Sequence, residues 1–349
     1  MSTRPLPRLV AHADWSKDPK KRWLAIGNLV GSVYHLSAPN HAGDTASLLL
    51  RLSRQAVGSL IVGFDFPIGL PNAFAASAQI SGFKDILPQL GTEKWATFYK
   101  VSNCRADISV TRPFYPYRPG GTSQAHLTKA LGMRHIHDLL RICERRTATR
   151  GDACVLFWTL GPKQVGRGAI VGWREVLAPA LKDSNLDVAV WPFDGTLDQL
   201  LRNRQCIVVE TYPAEACLHL GMTPPGRAWS KRDQKDRTKQ GCHLFKWAES
   251  RGVIIETDLE DKILDGFGTT VAGEDPFDAV LGLMSMIEVL LDRRSDGVPS
   301  IGHIRDIEGW IFGQAYEPDN LQDIAGPPVW GASKTSHANI ESVGSRIGR

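Results

Sequence analysis

Three apolar segments of this chain each deliver an acidic residue at their carboxyl end. The acids are Asp14 after residues 9–13, Asp65 after residues 61–64 and Glu210 after residues 206–209. A strand interior does not tolerate an unpaired charge, so each acid should lie where its strand leaves the sheet. Active sites of parallel α/β sheets form at the carboxyl ends of strands. The pattern therefore predicts that these three acids converge at one edge of a sheet.

Converging carboxylates repel one another and raise their own pKa values, and a divalent cation relieves that repulsion. Mg²⁺ prefers hard oxygen ligands and keeps several waters for substrate phosphates. Two such ions about 3.5–4 Å apart can activate a water and stabilise the leaving oxygen of a phosphodiester. We therefore expect Mg²⁺ or Mn²⁺, as two ions, to be the cofactor of such a cluster.

The segment Asp275-Pro276-Phe277-Asp278-Ala279 adds two acids at the start of an apolar helical pattern. Asp275 is a good helix cap before a proline, and an acid at Asp278 suits the positive end of the helix dipole. Three residues apart, both acids also face one side of the first turn. They are interpreted either as helix-start residues or as further members of the acid cluster.

The elements that must position these acids follow from periodicity and turn residues. Residues 8–15, 22–28 and 32–37 are predicted strands of an antiparallel meander. Residues 47–57 form a predicted helix, and the return to the Asp65 strand by a helical crossover implies a parallel strand. The predicted units are a core of residues 8–71 and 150–295, an inserted substrate-facing subdomain of residues 72–149, a C-terminal extension of residues 296–326 and a disordered tail of residues 327–349.

Bulk properties exclude several classes of protein. The chain has 349 residues, 42% of them hydrophobic, which is ordinary for a globular protein with a sizeable core. A net charge of +4 does not by itself indicate a nucleic-acid partner. Six scattered cysteines form no zinc-ligand spacing and favour reduced thiols, without a disulfide-linked partner. No signal-peptide pattern or membrane-spanning segment is present, so a cytoplasmic location is predicted; the oligomeric state stays open.

Residues 105–118 interleave arginines with phenylalanine and tyrosine. Single-strand nucleic-acid surfaces combine stacking rings with phosphate contacts in this way. The same composition also suits a packed loop whose aromatic rings fill the core of the inserted subdomain. Arg105 and Arg112 are the candidate substrate-binding residues of this segment.

Five motifs together resemble a family of predicted nucleases with a ribonuclease H-like fold, and they occur in the family's order between residues 10 and 290. They are Ala13-Asp14-Trp15-Ser16, residues 63–71 (GFDFPIGLP), residues 209–215 (VETYPAE), Trp229-Ser230-Lys231 and Asp275-Pro276-Phe277-Asp278-Ala279. The last motif also looks like the final catalytic helix of Holliday-junction resolvases. The resemblance implies an α/β fold with a mixed five-stranded sheet, the first three strands antiparallel, flanked by helices and here carrying a helical insert.

The resemblance also implies a set of functional residues. Asp14, Asp65, Glu210 and Asp278 are the catalytic candidates; the same four with Asp275 are the metal ligands; and Lys231, from the Ser-Lys pair of the family pattern, is a phosphate contact. The leading hypothesis is a metal-dependent nuclease that hydrolyses phosphodiester bonds of DNA or RNA. The alternatives are a non-catalytic nucleic-acid or partner-binding module that keeps the fold, and an actin-like phosphotransferase, whose core shares this strand order.

Overall fold

The centre of the molecule is a mixed β-sheet whose strands belong to one α/β architecture. The computed structural model describes residues 4–161, 165–223, 225–226 and 228–317, except for the side chain of Thr270. Within those residues the sheet has seven strands in the order β5-β6-β4-β1-β2-β3-β7. The strands are β1 (Leu9–Asp14), β2 (Trp23–Val30), β3 (Val33–His41), β4 (Leu60–Phe64), β5 (Val188–Val190), β6 (Cys206–Glu210) and β7 (Ile254–Ile255).

The pairing of the strands follows the expected meander and crossover. Strands β1 and β3 each pair antiparallel with β2, which lies between them. Strand β4 returns parallel to β1, and β6 and β5 continue the parallel half. The short β7 lies parallel to β3 at the opposite edge. The sheet is thus larger than the five strands expected, because β7 and β5 extend its two edges.

Eleven α-helices surround the sheet in the described part of the chain. They are α1 (Leu48–Ala56), α2 (Asn72–Ala78), α3 (Phe83–Ile86), α4 (Gln124–Ala130), α5 (Val165–Gly172), α6 (Ala178–Lys182), α7 (Leu197–Asn203), α8 (Pro213–His219), α9 (Gln234–Arg251), α10 (Thr257–Leu264) and α11 (Glu274–Leu290). A π-helical turn, Trp173–Leu177, joins α5 to α6. Helix α11 begins one residue before Asp275, so Gly273 is the cap and Asp275 lies in the first turn.

The two faces of the sheet bury different sets of side chains, because successive residues of a strand point to opposite faces. Leu9, Ala11 and Ala13 of β1 belong to the large core that contains α1 and the π-helical turn. Residues between them face the other way, where α11 packs across β1 and β2. Helix α11 is apolar nearly all round, as expected for a helix buried between other elements.

Residues 72–149 consist of short helices and 3₁₀ turns whose apolar side chains, such as Phe74, Phe83 and Leu127, join the same core cluster as the sheet. The six cysteines are all free. No helix in the described ranges is long and apolar enough to cross a membrane. The tail predicted over residues 327–349, and the end of the extension from residue 318, lie outside the described residues.

Candidate functional site

The register of the three central strands decides which acids can meet. Phe64 of β4 pairs with Ala13 of β1 and with Glu210 of β6. Side chains of paired residues share a face, and the next residue along each strand faces the other way. Asp14 and Asp65 therefore emerge on the face covered by α11. On β6 the residue that points to this same face is Thr211, one residue after Glu210.

Asp14 and Asp65 form a close carboxyl pair at the carboxyl ends of β1 and β4. Their side chains share a hydrogen bond, and the Trp15 backbone N–H donates to Asp65 Oδ1 over 2.6 Å. Burial raises the pKa of Asp65 to about 7, although the Trp15 N–H opposes that rise. Burial, followed by the charge of Asp65, raises the pKa of Asp14 well above its ordinary value. One proton is thus held between the two carboxyl groups near neutral pH.

Helix α11 brings a third acid to this pair. The charge of Asp278 contributes to the raised pKa values of Asp14 and Asp65, which places the three carboxyl groups in one electrostatic cluster. Burial also raises the pKa of Asp278, against the attraction of Lys231. Asp275, one turn earlier and half-buried, has a pKa raised to about 6 by burial. We call Asp14, Asp65, Asp275 and Asp278 the acid cluster.

Lys231 is an internal partner of the acid cluster. Its Nζ lies 2.6 Å from Asp278 Oδ1, and its side chain is only 10% exposed. Burial would lower the pKa of this lysine, but the Asp278 charge raises it above its ordinary value. In this structure its ammonium group neutralises Asp278, and the contact of Lys231 with a substrate phosphate stays a prediction.

His12 holds the three contributing elements together. Its Nδ1 lies 3.0 Å from the carbonyl oxygen of Ala279 in α11, and its Nε2 lies 2.7 Å from Thr211 Oγ1 just after β6. The carbonyl can only accept, so Nδ1 carries the proton and the Thr211 hydroxyl donates to Nε2. Burial lowers the pKa of His12 to about 3, which keeps the ring neutral in this role. His12 thereby fixes the backbone next to Asp278.

Two glycines allow helix α11 to approach the sheet this closely. A Cβ at Gly282 would lie 2.2 Å from the His12 ring, and a Cβ at Gly63 would lie 2.5 Å from Met286 Sδ. Such distances are shorter than any van der Waals contact, so larger side chains would push the helix outward. The reach of Asp278 toward the strand acids depends on these two positions.

Glu210 does not join the acid cluster, contrary to the sequence prediction. It lies on the opposite face of the sheet, where both carboxylate oxygens are bound by Arg141 at 2.6 and 2.7 Å. The Ile68 backbone N–H also donates to it over 2.6 Å. The Glu210 and Arg141 side chains are 5% and 0% exposed. Glu210 is thus half of a buried ion pair, and Thr211 takes the third-strand position on the acid-cluster face.

The two arginines predicted to bind substrate differ in their surroundings. Arg112 donates to the carbonyls of Lys100 and Val101 and lies 3.6 Å from Asp107, so it stabilises its own loop. Arg105 is exposed on a 3₁₀ turn. The structure gives Arg112 a structural role and does not place it at the acid cluster.

An open cleft of about 470 Å³ borders Asp65. Its positively charged lining residues are Lys17, Lys21 and Arg167, none of which the sequence had indicated. The remaining lining residues are Trp15, Ser16, Asp18, Asp65, Phe66, Val165 and Gly168. The cleft therefore offers a cationic approach to the acid cluster, as an anionic substrate requires.

The donor set of the acid cluster fits a hard divalent cation in its chemistry, since it consists of carboxylate oxygens whose repulsion raises their pKa values. Asp14 and Asp65 are the residues that would hold an ion, with Asp278 or Asp275 as an additional ligand. In the described part of the chain, however, no three or more His, Cys, Asp and Glu side chains are already placed to hold a metal.

Comparisons with known proteins gave no match: no family model matches the chain, and neither a curated protein nor a solved structure is significantly similar to it.

Proposed function

We propose that this protein is a metal-dependent nuclease that hydrolyses phosphodiester bonds of DNA or RNA at the acid cluster. The observation that carries the proposal is the meeting of Asp14, Asp65 and Asp278 beside a cleft that carries Lys17, Lys21 and Arg167. Acids alone would repel a polyanion, and the cationic cleft counters that repulsion. The antiparallel β1–β3 and the parallel β4 agree with the ribonuclease H-like sheet implied by the resemblance, and they support this proposal.

A divalent ion bound to the acid cluster would supply Lewis-acid stabilisation of a phosphate and would lower the pKa of a bound water. The chain's own residues have distinct roles around it. Asp14 and Asp65 would hold the ion as carboxylates, after releasing their shared proton to the solvent. Lys231 fixes the carboxylate of Asp278, and His12 fixes the helix that carries it. Lys17 and Lys21 attract the phosphates of the incoming chain.

A second candidate is a binding module without catalysis. The ion pair between Lys231 and Asp278 favours it, because an internal ammonium group can neutralise the cluster where a metal would otherwise be needed. Such a module would bind nucleic acid through the cleft in the presence of a chelator.

A cleavage assay separates the nuclease from the binding module. The full chain is incubated in Mn²⁺, Mg²⁺ or EDTA with a panel of labelled DNA and RNA that includes single strands, duplexes and branched molecules. The nuclease proposal predicts cleavage of at least one substrate with metal and none in EDTA. Binding in EDTA together with intact substrates in both metals would instead establish the binding module and overturn the nuclease proposal.

A further inference from the structure

Tyr117 lies on a loop next to Arg167 of the cleft, outside the acid cluster. Its side chain belongs to an otherwise buried aromatic segment but is 51% exposed. Two guanidinium groups lie near its ring: the Cζ of Arg118 is 5.8 Å from the ring centroid, and the Cζ of Arg167 is 5.6 Å from it. Arg167 also lines the cleft that borders Asp65.

Hydrogen bonds anchor the backbone of Tyr117 on both sides of its Cα, although the ring itself is exposed. The Tyr117 N–H donates to the Ser102 carbonyl over 2.9 Å, and its own carbonyl accepts from Arg167 Nη2 over 3.0 Å. Arg167 Nε donates in addition to the Thr159 carbonyl over 3.1 Å. A surface aromatic ring held in place by its backbone loses little conformational freedom when a ligand stacks on it.

We propose that Tyr117, with Arg118 and Arg167 beside it, is a base-stacking subsite for single-stranded nucleic acid whose phosphates continue along the cleft toward Asp65. Single-strand sites combine an aromatic platform with cations that follow the backbone. Tyr117 supplies the platform, and Arg167 belongs to both the platform and the cleft.

This inference rests on the proposed function for the direction of the strand, but it can be tested by binding alone. The full-length chain is titrated into fluorescein-labelled oligothymidine or oligouridine at low salt in EDTA, and anisotropy is recorded. Tyr117→Phe keeps the ring and removes the hydroxyl, whereas Tyr117→Ala removes the platform. Lys246→Gln, an exposed lysine on α9, is the charge control for Arg118→Gln.

Tyr117→Ala should weaken binding of the single strands about 5- to 150-fold, the equivalent of losing one stacked base. The dissociation constant of Tyr117→Phe should stay within about 2-fold of that of the unmodified protein. Arg118→Gln should weaken binding more than Lys246→Gln does. Unchanged affinity in Tyr117→Ala, an equal loss in Tyr117→Phe, or no binding by the unmodified protein would overturn the subsite. Stacking-dependent binding without cleavage in Mn²⁺ would keep the subsite and reject only the nuclease proposal.

Discussion

At the scale of single residues, the carboxyl pair of Asp14 and Asp65 affects stability as well as chemistry. The pKa of Asp65 is raised to about 7 in the folded protein, so the folded state binds its proton more tightly than the unfolded state. The resulting stabilisation is fully present below pH 3.8, the ordinary pKa of an aspartate carboxyl group. It is lost as the pH rises through about 7, the pKa of Asp65 in the folded protein. The ionised pair therefore destabilises the metal-free protein in mildly alkaline solution.

Asp65→Asn removes this cost while its amide oxygen still accepts from the Trp15 N–H. In EDTA the variant should be more stable than the unmodified protein at about pH 8, by at least about 1.4 kcal/mol, the equivalent of one pKa unit. At about pH 5 this advantage should shrink. Urea unfolding at both pH values measures the difference, with Asp261→Asn, an exposed acid on α10, as the control. An advantage that is no greater at pH 8 than at pH 5 would contradict the raised pKa.

In the presence of Mn²⁺ the unmodified protein should become more stable than Asp65→Asn. An ion that binds only the folded state stabilises that state by about 2.7 kcal/mol when its free concentration is 100 times its dissociation constant. The midpoint of thermal unfolding should therefore rise with Mn²⁺ in the unmodified protein and in Asp261→Asn, but not in Asp65→Asn. Equal shifts in all three proteins would show that the ion binds elsewhere.

The sequence was sufficient to locate the strand-end acids but not to assign their faces. Asp14, Asp65 and Glu210 each follow an apolar run, and nothing local distinguishes them. Glu210 lies one register position earlier than Asp14 and Asp65, and a shift of one residue reverses the face. That register depends on pairing between distant strands. The sequence also contained an indication of the site that was missed. A histidine inside an apolar strand, such as His12, must have hydrogen-bond partners in the protein interior.

At the scale of elements, the docking of α11 on β1 positions the acid cluster. Gly282→Ala introduces a methyl group against the His12 ring and should destabilise the protein by about 1–3 kcal/mol through overpacking. The displaced helix should also reduce the Mn²⁺-dependent rise in thermal midpoint. Unfolding curves with and without Mn²⁺ measure both effects.

Gly168→Ala is the matched control for that substitution. Gly168 also lies in a helix, but a Cβ there would meet only Phe66 Cβ at an ordinary 3.8 Å. Alanine is a better helix former than glycine, so this variant should keep or gain stability and retain the Mn²⁺ effect. If Gly168→Ala lost as much stability as Gly282→Ala, the close approach of α11 to the sheet would not be the cause of the destabilisation.

Elements with strong local patterns were predictable. The meander, the crossover helix and the helix from Glu274 to Leu290 follow from periodicity and turn residues, and the structure contains all three. The two-residue strand β7 was missed because so short a segment carries no periodic signal. Its pairing with β3 depends on tertiary contacts instead.

At the scale of the whole molecule, the buried ion pair of Glu210 and Arg141 links three parts of the chain. Arg141 belongs to the segment of residues 72–149, Glu210 ends β6, and Arg141 also donates to the carbonyl of Glu308 in the C-terminal extension over 3.0 Å. These partners lie 69 and 167 residues apart from Arg141, so no local pattern could reveal them.

Glu210→Gln should therefore destabilise the protein by about 1.5–3 kcal/mol, because the buried guanidinium of Arg141 loses the carboxylate that binds two of its nitrogens and keeps only Glu144, 2.9 Å away, as a charged partner. Under conditions where the variant is still folded, its Mn²⁺-dependent stabilisation should match that of the unmodified protein. Chemical unfolding with and without Mn²⁺ tests this. Loss of the Mn²⁺ effect in a folded Glu210→Gln protein would restore Glu210 as a metal ligand.

The most direct measurement is the rate of Mn²⁺-dependent cleavage of one labelled nucleic acid by the unmodified protein, Asp65→Asn and Asp261→Asn. All three are assayed at equal folded concentration. If the acid cluster performs the chemistry, the unmodified protein and Asp261→Asn cleave at similar rates, and Asp65→Asn is at least about 100-fold slower, the scale of losing one electrostatic contact to the transition state. Equal cleavage by Asp65→Asn and the unmodified protein would contradict the assignment of the site.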